Sequence, residues 1–301
     1  MQEQYGLRMP ELPEVETIRQ DLRRVLRGKQ IVSVSVRKPK LVRGHSVALF
    51  SRRLRGRKII DIRRRGKLLI FVLDVPDLFL LVHLKMTGQL IFRSQKVFVG
   101  GGHGFPVVRR GDLPNSYTHV VVTFADGSTL YFNDLRQFGY MQLVDGQRLA
   151  EIETAYGVEP LTAAFTPTEL RRVLDARATA LKNVLLDQRQ IAGLGNIYVD
   201  ESCFRAHVRP TRRAGRLSAQ ETTALHKAIR AVLQQAVTLR GTTFGSYRDG
   251  LGGAGKFISR LKVYGRAGEV CRRPACRQAG VVIQRVVVGG RGTAYCPNCQ
   301  V

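Results

Sequence analysis

Four cysteines near the end of the chain have the type and spacing of metal ligands. Cys271 and Cys276 form a C-x4-C pair, Cys296 and Cys299 form a C-x2-C pair, and the alternating residues between the pairs predict a β-hairpin. Four thiolates held in this way can surround Zn²⁺ tetrahedrally, in a closed structural site without an open catalytic position. The C-x4-C spacing is looser than the usual two-residue knuckle, and four separate core thiols are the alternative interpretation. Cys203 is left over and is expected to be a packed helix thiol.

The charge of the chain restricts its partners. Its 301 residues include 49 Lys and Arg against 23 Asp and Glu, which gives a formal net charge of +26. A field of this sign favours phosphate-rich partners, nucleic acid first and an anionic membrane second. From charge alone, a basic protein of the ribosomal kind is an open alternative.

The sequence predicts neither a membrane span nor a secretory signal. The most apolar stretch, residues 68–84, contains Asp74, Pro76 and Asp77, so it is interpreted as two buried strands around a turn. The first residues are charged and lack an apolar core region. A reducing compartment is therefore expected, where cysteines serve metal binding or core packing rather than disulfides.

The order of predicted elements gives a β-rich lobe, a helical lobe and a small terminal module. Apolar spacing predicts a helix over residues 13–27, followed from Ile31 by short β-rich runs typical of a β-sandwich. Residues 97–116 are expected to form a long Gly/Pro loop. Helical patterns follow residue 150, beginning at a Thr166 cap with Pro167 at the first helical position. We find no internal repeat.

Short motifs along the chain carry a resemblance to a known family. The stretch PELPEVET (10–17), together with the cysteine tail, closely resembles the formamidopyrimidine-DNA glycosylase family, which also contains endonuclease VIII. Further motifs recur in the family's order: RRGKLLI (64–70), HLKMTG (83–88), NDLRQFG (133–139), GLGNIYVDE (193–201) and VYGRAGE (263–269).

The resemblance implies an α+β fold with an N-terminal β-sandwich lobe and flanking helices. A C-terminal helix–two-turns–helix lobe with a zinc-ribbon β-hairpin would follow. The expected boundaries are an extension over 1–9 that is absent from active protein, a β-sandwich catalytic domain over 10–150, a linker over 151–162, a helix–two-turns–helix domain over 163–262 with a lesion loop at 245–257, and a zinc-ribbon module over 263–301.

The resemblance implies that the nucleophile is the secondary amine of an N-terminal proline, which is Pro10 here. Glu11 matches the catalytic acid of the family, and Glu14 matches a residue of the lesion pocket, although a first-turn acid that complements the helix dipole is nearly as good an interpretation. If residues 1–9 were retained, the Pro10 nitrogen would be a tertiary amide and could not form a Schiff base. We therefore expect active protein to begin at Pro10, through initiation at Met9 and removal of that methionine.

Three further residues match the wedge with which the family fills the space left by an extruded base: Met86, Arg136 and Phe138. Pattern alone would favour core positions for Met86 and Phe138. Gln137 departs from the family pattern, which commonly has a second basic residue there, and this weakens a phosphate contact while leaving the wedge untouched.

The remaining predicted contacts are with the DNA backbone. The matching residues are Lys67, Asn196, Tyr264, Arg266 and Arg291, and Lys182 matches a secondary site lysine that is also expected to bind DNA. Lys67 and Arg291 also match the family's proton donors, so they are predicted to be catalytic; a solvated turn arginine is an equally good interpretation of Arg291. Lys67 ends a dense basic run over residues 52–67, whose other members are expected to form a solvated, DNA-facing surface.

The resemblance implies a bifunctional DNA glycosylase and abasic-site lyase with one structural Zn²⁺. It would excise 8-oxoguanine opposite cytosine and formamidopyrimidines from double-stranded DNA, as a monomer in the bacterial cytoplasm. An endonuclease VIII-like enzyme for oxidised pyrimidines is the first alternative, although that subfamily usually has Gly where Leu12 stands and tends to lack the full wedge. A zinc-ribbon nucleic-acid-binding protein without catalysis is the second.

Overall fold

The structure, a computed structural model, describes residues 9–103, 108–175, 177–242, 247–248 and 255–301. The chain divides into two compact units, the first comprising Met1–Thr154 with Leu239–Ile258 and the second Ala155–Thr238 with Ser259–Val301. The predicted N-terminal extension, apart from Met9, and most of the predicted lesion loop lie outside the described residues.

The first unit is a β-sandwich. Its described helices and strands are α1 (Leu12–Leu26), β1 (Ile31–Val36), β2 (Val42–Arg43), α2 (Val47–Leu54), β3 (Ile59–Arg65), β4 (Leu68–Leu73), β5 (Phe79–His83), β6 (Gly88–Arg93), β7 (Phe98–His103), β8 (Thr118–Phe124), β9 (Thr129–Asp134), β10 (Tyr140–Val144), α3 (Gly146–Thr154) and β11 (Tyr247–Arg248). Within the described residues, one sheet has the order β1-β8-β9-β6-β7-β11 and the other β2-β10-β5-β4-β3. One hydrophobic core takes side chains from both sheets, such as Phe71 and Val82 from the second and Phe92 and Phe132 from the first.

Helix α1 forms as its apolar spacing predicts. Val15, Ile18, Leu22 and Leu26 recur at helical spacing and are almost completely buried, so one stripe of the helix joins the core. The opposite ends of the helix lie at Glu11, its N-cap, and Arg27, its C-cap.

The prediction of a loop over residues 97–116 is wrong for its first part, because β7 occupies Phe98–His103 and pairs with β6. Its glycines are what allow a strand here. A Cβ at Gly101 would lie 2.5 Å from Cγ1 of Ile18, and a Cβ at Gly102 would lie 2.4 Å from the carbonyl oxygen of Gly88. Only a strand without side chains fits beneath α1, so glycines that usually indicate a loop here permit close packing.

The second unit is mainly helical and carries a small hairpin. Its described elements are α4 (Pro167–Leu174), α5 (Leu181–Leu186), α6 (Asn196–Arg205), α7 (Ala219–Thr238), α8 (Pro274–Gln278), β12 (Gln284–Val288) and β13 (Arg291–Tyr295). The predicted cap of α4 is confirmed, since the Thr166 hydroxyl accepts a hydrogen bond from the amide of Glu169 at 3.1 Å. Strands β12 and β13 are antiparallel, as the residues between the cysteine pairs predict. The predicted α+β class is therefore confirmed. None of the described helices is long and apolar enough to span a membrane.

Candidate active site and cysteine centre

The N-terminal end of α1 holds three of the predicted site residues. Pro10 and Glu11 are buried immediately before the helix, and Glu14 lies in its first turn with 2% exposure. One carboxylate oxygen of Glu14 accepts a hydrogen bond from the Glu11 amide at 3.0 Å, and the other accepts one from the Thr242 amide at 2.8 Å. Glu14 therefore fixes the backbone beside Pro10 and at the same time binds the chain 228 residues further on.

Lys67 lies in the two-residue turn between β3 and β4. Gly66 has a φ of +57°, which allows the tight turn, and Arg65 pairs with Leu68 across it. The Lys67 side chain is only 5% exposed. Because α1 lies against β3 in the opposite direction, with Glu16 bonded to Arg64, this turn is at the same end of the first unit as Glu11.

His83 is a buried residue of this region that sequence reasoning missed. Its Nδ1 faces the amide of Lys85, which donates a hydrogen bond to it at 3.0 Å, so the ring proton of the neutral form is on Nε2. Burial, reinforced by the charges of Lys85, Lys67 and Arg43, lowers the pKa of His83 to about 3. His83 is thus a neutral hydrogen-bond donor at physiological pH. The HLKMTG motif was the available signal.

Replacing His83 with glutamine is expected to flatten the acid limb of the stability profile. The folded-state pKa lies below the ordinary value of 6.5, so the stabilisation is complete above pH 6.5 and is lost as the pH falls towards 3, at about 1.4 kcal/mol per pH unit. Urea unfolding of both proteins between pH 7 and 5 measures this. Parallel profiles for the two proteins would contradict it.

The structure brings the three predicted wedge residues together at one surface. Nη1 of Arg136 lies 3.2 Å from the sulfur of Met86, and the Arg136 guanidinium lies over the Phe138 ring at 4.7 Å from its centroid. Phe138 is 48% exposed, which is unusual for a side chain of its size. Gln137 between them has a φ of +56°, so the backbone turns sharply and both neighbours face outward.

A buried polar scaffold holds the wedge. Asp134 accepts hydrogen bonds from the Thr87 hydroxyl and, at 2.7 Å, from the amide of Gly139. Thr87 in turn accepts one from the Arg136 amide at 2.9 Å. Asp134 and Thr87 are at most 2% exposed. Sequence reasoning did not single out these two residues, although both stand inside the motifs quoted for the wedge.

In the second unit, the predicted DNA-contact residue Lys182 is fully buried. Its ammonium group donates to Asp200 at 2.6 Å and to the carbonyl of Gly292 at 3.0 Å. The second oxygen of Asp200 accepts a hydrogen bond from the Ala294 amide at 2.9 Å. Burial raises the pKa of Asp200 to about 6 in spite of the opposing charge of Lys182. The pair thus holds β13 at two points beside the exposed Arg291.

The other predicted contacts of this unit surround the same strand. The side-chain amide of Asn196, the first residue of α6, donates to the Gly292 carbonyl at 3.1 Å and lies 3.4 Å from the Tyr264 hydroxyl. The Tyr264 amide donates to the buried Glu201 at 2.9 Å. Arg266 is 9% exposed and pairs with Glu269. The structure therefore brings Lys182, Asn196 and Tyr264 to the hairpin that carries Arg291.

The four predicted metal ligands form one cluster. The sulfur atoms of Cys271, Cys276, Cys296 and Cys299 all lie within 4.8 Å of one another, and three of these residues are buried. Cys276 and Cys296 are 3.8 Å apart at sulfur. The donor set fits a metal ion that prefers thiolates. Cys203 is completely buried in α6, and burial raises the pKa of its thiol, so it fits the expected packing role.

Fold and site together define a two-unit α+β protein with a β-sandwich, a helical second unit and a cysteine-bearing hairpin. A model of the formamidopyrimidine-DNA glycosylase N-terminal domain matches residues 9–141, and a model of the formamidopyrimidine-DNA glycosylase H2TH domain matches residues 156–247. The chain belongs to the formamidopyrimidine-DNA glycosylase family.

Individual relatives match over nearly their whole length. The formamidopyrimidine-DNA glycosylases of Shouchella clausii and Herpetosiphon aurantiacus are 40% and 41% identical to the chain, each over 97% of it and over 99% and 100% of their own lengths. A crystal structure of a Lactococcus lactis FPG mutant with DNA containing Fapy-dG has a TM-score of 0.83 and 33% identity, covering 97% of this chain and 99% of that one. The Lactococcus lactis Fpg complex with DNA containing an abasic site has a TM-score of 0.82 and 33% identity, with 96% and 99% coverage.

Proposed function

We propose that the protein is a bifunctional DNA glycosylase and abasic-site lyase that excises oxidised purines, 8-oxoguanine opposite cytosine and formamidopyrimidines, during base excision repair. The observation that carries the proposal is the wedge of half-buried Met86 with exposed Arg136 and Phe138, held on a buried scaffold in the unit that also contains Pro10 and Glu11. An aromatic ring that is exposed and lies beside a guanidinium does not contribute to a hydrophobic core. It can instead fill the gap that an extruded base leaves in the DNA stack. The matched relatives are bacterial, and we propose that the protein acts in the cytoplasm on nucleoid DNA.

Pro10 is the proposed nucleophile. As a free N-terminal residue its secondary amine would attack C1′ of the damaged nucleotide and expel the base, which leaves an iminium ion between Pro10 and the sugar. The iminium withdraws electrons and so allows β-elimination and then δ-elimination of the two phosphates. Glu11, beside the nucleophile, would protonate the ring oxygen of the sugar as it opens. Lys67 and Arg291 are the proposed proton donors for the two eliminations.

The wedge also gives the proposed preference for cytosine opposite the lesion. A guanidinium donates hydrogen bonds and accepts none, so Arg136 suits the O2 and N3 acceptors of an unpaired cytosine. Met86 and Phe138 would enter the stack as apolar bodies.

Phe138→Ala is expected to slow excision from 8-oxoguanine:C duplexes by about 5- to 150-fold, because base–aromatic stacking contributes about 1–3 kcal/mol. Single-turnover excision measures it. The matched control is Val287→Ala, which truncates a side chain that is 69% exposed on the hairpin of the second unit. Equal rates for both variants would remove Phe138 from the wedge.

We propose two kinds of role for the residues of the second unit. The exposed Arg291 and the N-terminal end of α6 at Asn196 would contact phosphates, together with Tyr264 and Arg266. Lys182 has no exposed surface, and its bonds to Asp200 and Gly292 favour a positioning role for the hairpin over a direct DNA contact. Lesion preference is assigned to Glu14 and to the segment 245–257 only by family resemblance.

Zinc is the proposed occupant of the cysteine cluster. Four sulfurs at about 2.3 Å from a central zinc ion lie about 3.8 Å from one another, and Cys276 and Cys296 have this separation. The ion would supply structure only, since four thiolates leave no open position for water or substrate.

One experiment separates the three candidate functions. Borohydride reduction is applied to protein incubated with duplexes that carry either 8-oxoguanine:C or an oxidised pyrimidine, after mass spectrometry has established that the chain begins at Pro10. A covalent adduct formed preferentially with 8-oxoguanine supports the proposal, and preference for the oxidised pyrimidine supports the endonuclease VIII alternative. Binding without an adduct on either duplex would leave only the non-catalytic alternative.

A further inference from the structure

Two segments of the first unit, each ten residues long, resemble each other in sequence and in structure. Residues 23–32 read RRVLRGKQIV and residues 51–60 read SRRLRGRKII. In each copy a helix ends, an arginine follows as C-cap, and a glycine with positive φ turns the chain into a strand; the φ values are +83° at Gly28 and +82° at Gly56. Burial also agrees at nine of the ten aligned positions, the exception being exposed Arg23 against half-buried Ser51.

The two copies are joined by reciprocal hydrogen bonds. The Gly28 amide donates to the Ile59 carbonyl at 2.7 Å, and the Gly56 amide donates to the Ile31 carbonyl at the same distance. Between these bonds Gln30 and Lys58 form an antiparallel bridge. Residues 28–32 and 56–60 thus form a short two-stranded ribbon, here called the end ribbon, with a local two-fold axis between Gln30 and Lys58.

One face of the end ribbon is open to solvent. Alternate residues of a strand face opposite sides, and the exposed set is Gly28, Gln30, Val32, Gly56, Lys58 and Ile60. The other face places Ile31 and Ile59 in the core. A Cβ added at Gly28 or at Gly56 would meet nothing within 4 Å, so no other part of the described chain covers this face at its two glycines.

Uncompensated positive charge surrounds this face. Each copy contributes two exposed arginines at its helix end, and Lys58 adds a cation near the axis; the arginines are Arg24, Arg27, Arg52 and Arg55. None of these five cations takes part in an ion pair among the described residues, whereas the neighbouring acids Asp61 and Asp126 are occupied by Arg23 and Lys29. A helix C-terminus carries about half a negative charge. That charge is too small to neutralise the two arginines at the C-terminal end of each helix.

The end ribbon lies at the opposite end of the first unit from the proposed catalytic residues. Helix α1 has 15 residues and is therefore about 22 Å long, with Glu11 at one end and Arg27 at the other. The contacts of α1 with β3 agree that the ribbon and the catalytic residues are at opposite ends. Arg19 donates to the Ile62 carbonyl at 3.2 Å, and Arg23, closer to the ribbon, pairs with Asp61. The basic run 52–67 is therefore divided in space: residues 52–58 lie at the end ribbon, and Lys67 lies at the end of the unit that holds the proposed catalytic residues.

We propose that the end ribbon and its helix-end arginines form a second DNA-binding surface, which takes an undamaged duplex while the catalytic end holds a damaged one. The face is flat, because the outer edges of the ribbon are themselves bonded, Gln30 to Ala125 and Lys58 to Asp74, so it suits contacts with the phosphate backbone. Phosphates on the two strands of a duplex are related by local two-fold axes, as the arginines are here. Stable protein interfaces usually combine Arg with aromatic and Met side chains at their centre, and the exposed set of the end ribbon contains neither an aromatic residue nor Met. The exposed face of the end ribbon offers only Val32 and Ile60 as apolar contacts, which favours duplex phosphates over an acidic protein.

The test uses the full chain saturated with a short unlabelled duplex that contains an abasic-site analogue. A second, fluorescent, undamaged 20-base-pair duplex is then titrated by anisotropy. The triple variant Arg27→Gln, Arg55→Gln and Lys58→Gln is expected to bind the second duplex about tenfold more weakly, with a salt slope smaller by about 3. The charge-matched control carries Arg148→Gln, Arg172→Gln and Lys227→Gln, three exposed cations elsewhere, and is expected to change affinity less than about twofold.

Three results would overturn the proposal: equal losses in the two triple variants, no binding of a second duplex by the unaltered protein, or equally tight ribbon-dependent binding of polyglutamate. Single-turnover excision from a short damaged duplex should be the same in both triple variants. A selective loss of excision in the ribbon variant would assign the ribbon to the first duplex and would also overturn the proposal. Because the readout is binding, its outcome is independent of whether Pro10 forms the covalent adduct.

Discussion

Protein whose first residue is Pro10 is expected to form the borohydride-stable adduct faster, by roughly three orders of magnitude or more, than protein that retains Met9 and the residues before it. The reason is the state of one nitrogen. At a free N-terminus it is a secondary amine, and α-amino groups titrate near about 7.7–8, so a usable fraction is neutral at physiological pH. Within a peptide bond the same nitrogen is a tertiary amide without a basic lone pair.

The two forms are prepared by initiating synthesis at Met9, which the following proline allows to be removed, and by retaining residues 1–9 behind a blocked start. Mass spectrometry establishes each N-terminus before single-turnover trapping on an 8-oxoguanine:C duplex.

Pro10→Gly in the shorter form is the matched control. Its primary amine is expected to trap more weakly while the affinity for damaged DNA is retained, because the wedge is unchanged. A covalent adduct on protein with residues 1–9 intact would refute the proline mechanism. Loss of folding in Pro10→Gly would show that the buried proline is structural.

Cys276→Ser is expected to abolish zinc binding, release the hairpin of the second unit and strongly reduce adduct formation. The small core of this module contains the ligands themselves, since Cys271, Cys276 and Cys296 pack with Val263 and Ile283. Structural zinc contributes about 10–16 kcal/mol of apparent binding free energy in small domains, which exceeds what the few hydrogen bonds from Lys182, Asn196 and Asp200 to β13 can replace. Arg291, on the same hairpin, would lose its position.

Zinc content, limited proteolysis of residues 263–301 and trapping measure these three effects. The matched control is Cys203→Ser, which alters an equally buried thiol of α6 that is outside the cluster. It is expected to keep one zinc ion per chain and a protected hairpin. Full zinc content in Cys276→Ser, or an unchanged protein after treatment with a chelator, would contradict the structural role of the metal.

Local sequence signals predicted the local structure well. The apolar spacing of α1, the Thr166 cap and the alternation between the cysteine pairs each correspond to an element of the structure, because each signal and its consequence lie within one helix or hairpin. The proximity of Met86 to Arg136 is a different case. It depends on the pairing of β6 with β9, and only the family resemblance indicated it in advance.

Features that depend on distant contacts escaped prediction. The glycines of β7 suggest a loop until Ile18 of α1 is seen to pack against them. Lys182 was predicted from the resemblance to be a DNA-binding lysine, but Asp200 and the Gly292 carbonyl hold its side chain in the interior. The low pKa of His83 comes from burial, and that follows from its place in β5 rather than from its immediate neighbours.

The bond between Glu14 and Thr242 has a consequence for how the proposed lesion segment could change among related proteins. The residues that flank the segment 243–255 are hydrogen-bonded to each other. Thr242 forms an antiparallel bridge with Lys256, and the Phe257 amide donates to the Gly241 carbonyl at 3.1 Å. Because Glu14 accepts a hydrogen bond from the Thr242 amide, these flanking residues are also attached to the end of α1 beside Pro10. Doubling the length of a segment closed in this way costs only about 0.6 kcal/mol of chain entropy. If the segment carries lesion preference as proposed, its length and composition can therefore change at small cost while its two ends stay bonded beside the proposed nucleophile Pro10.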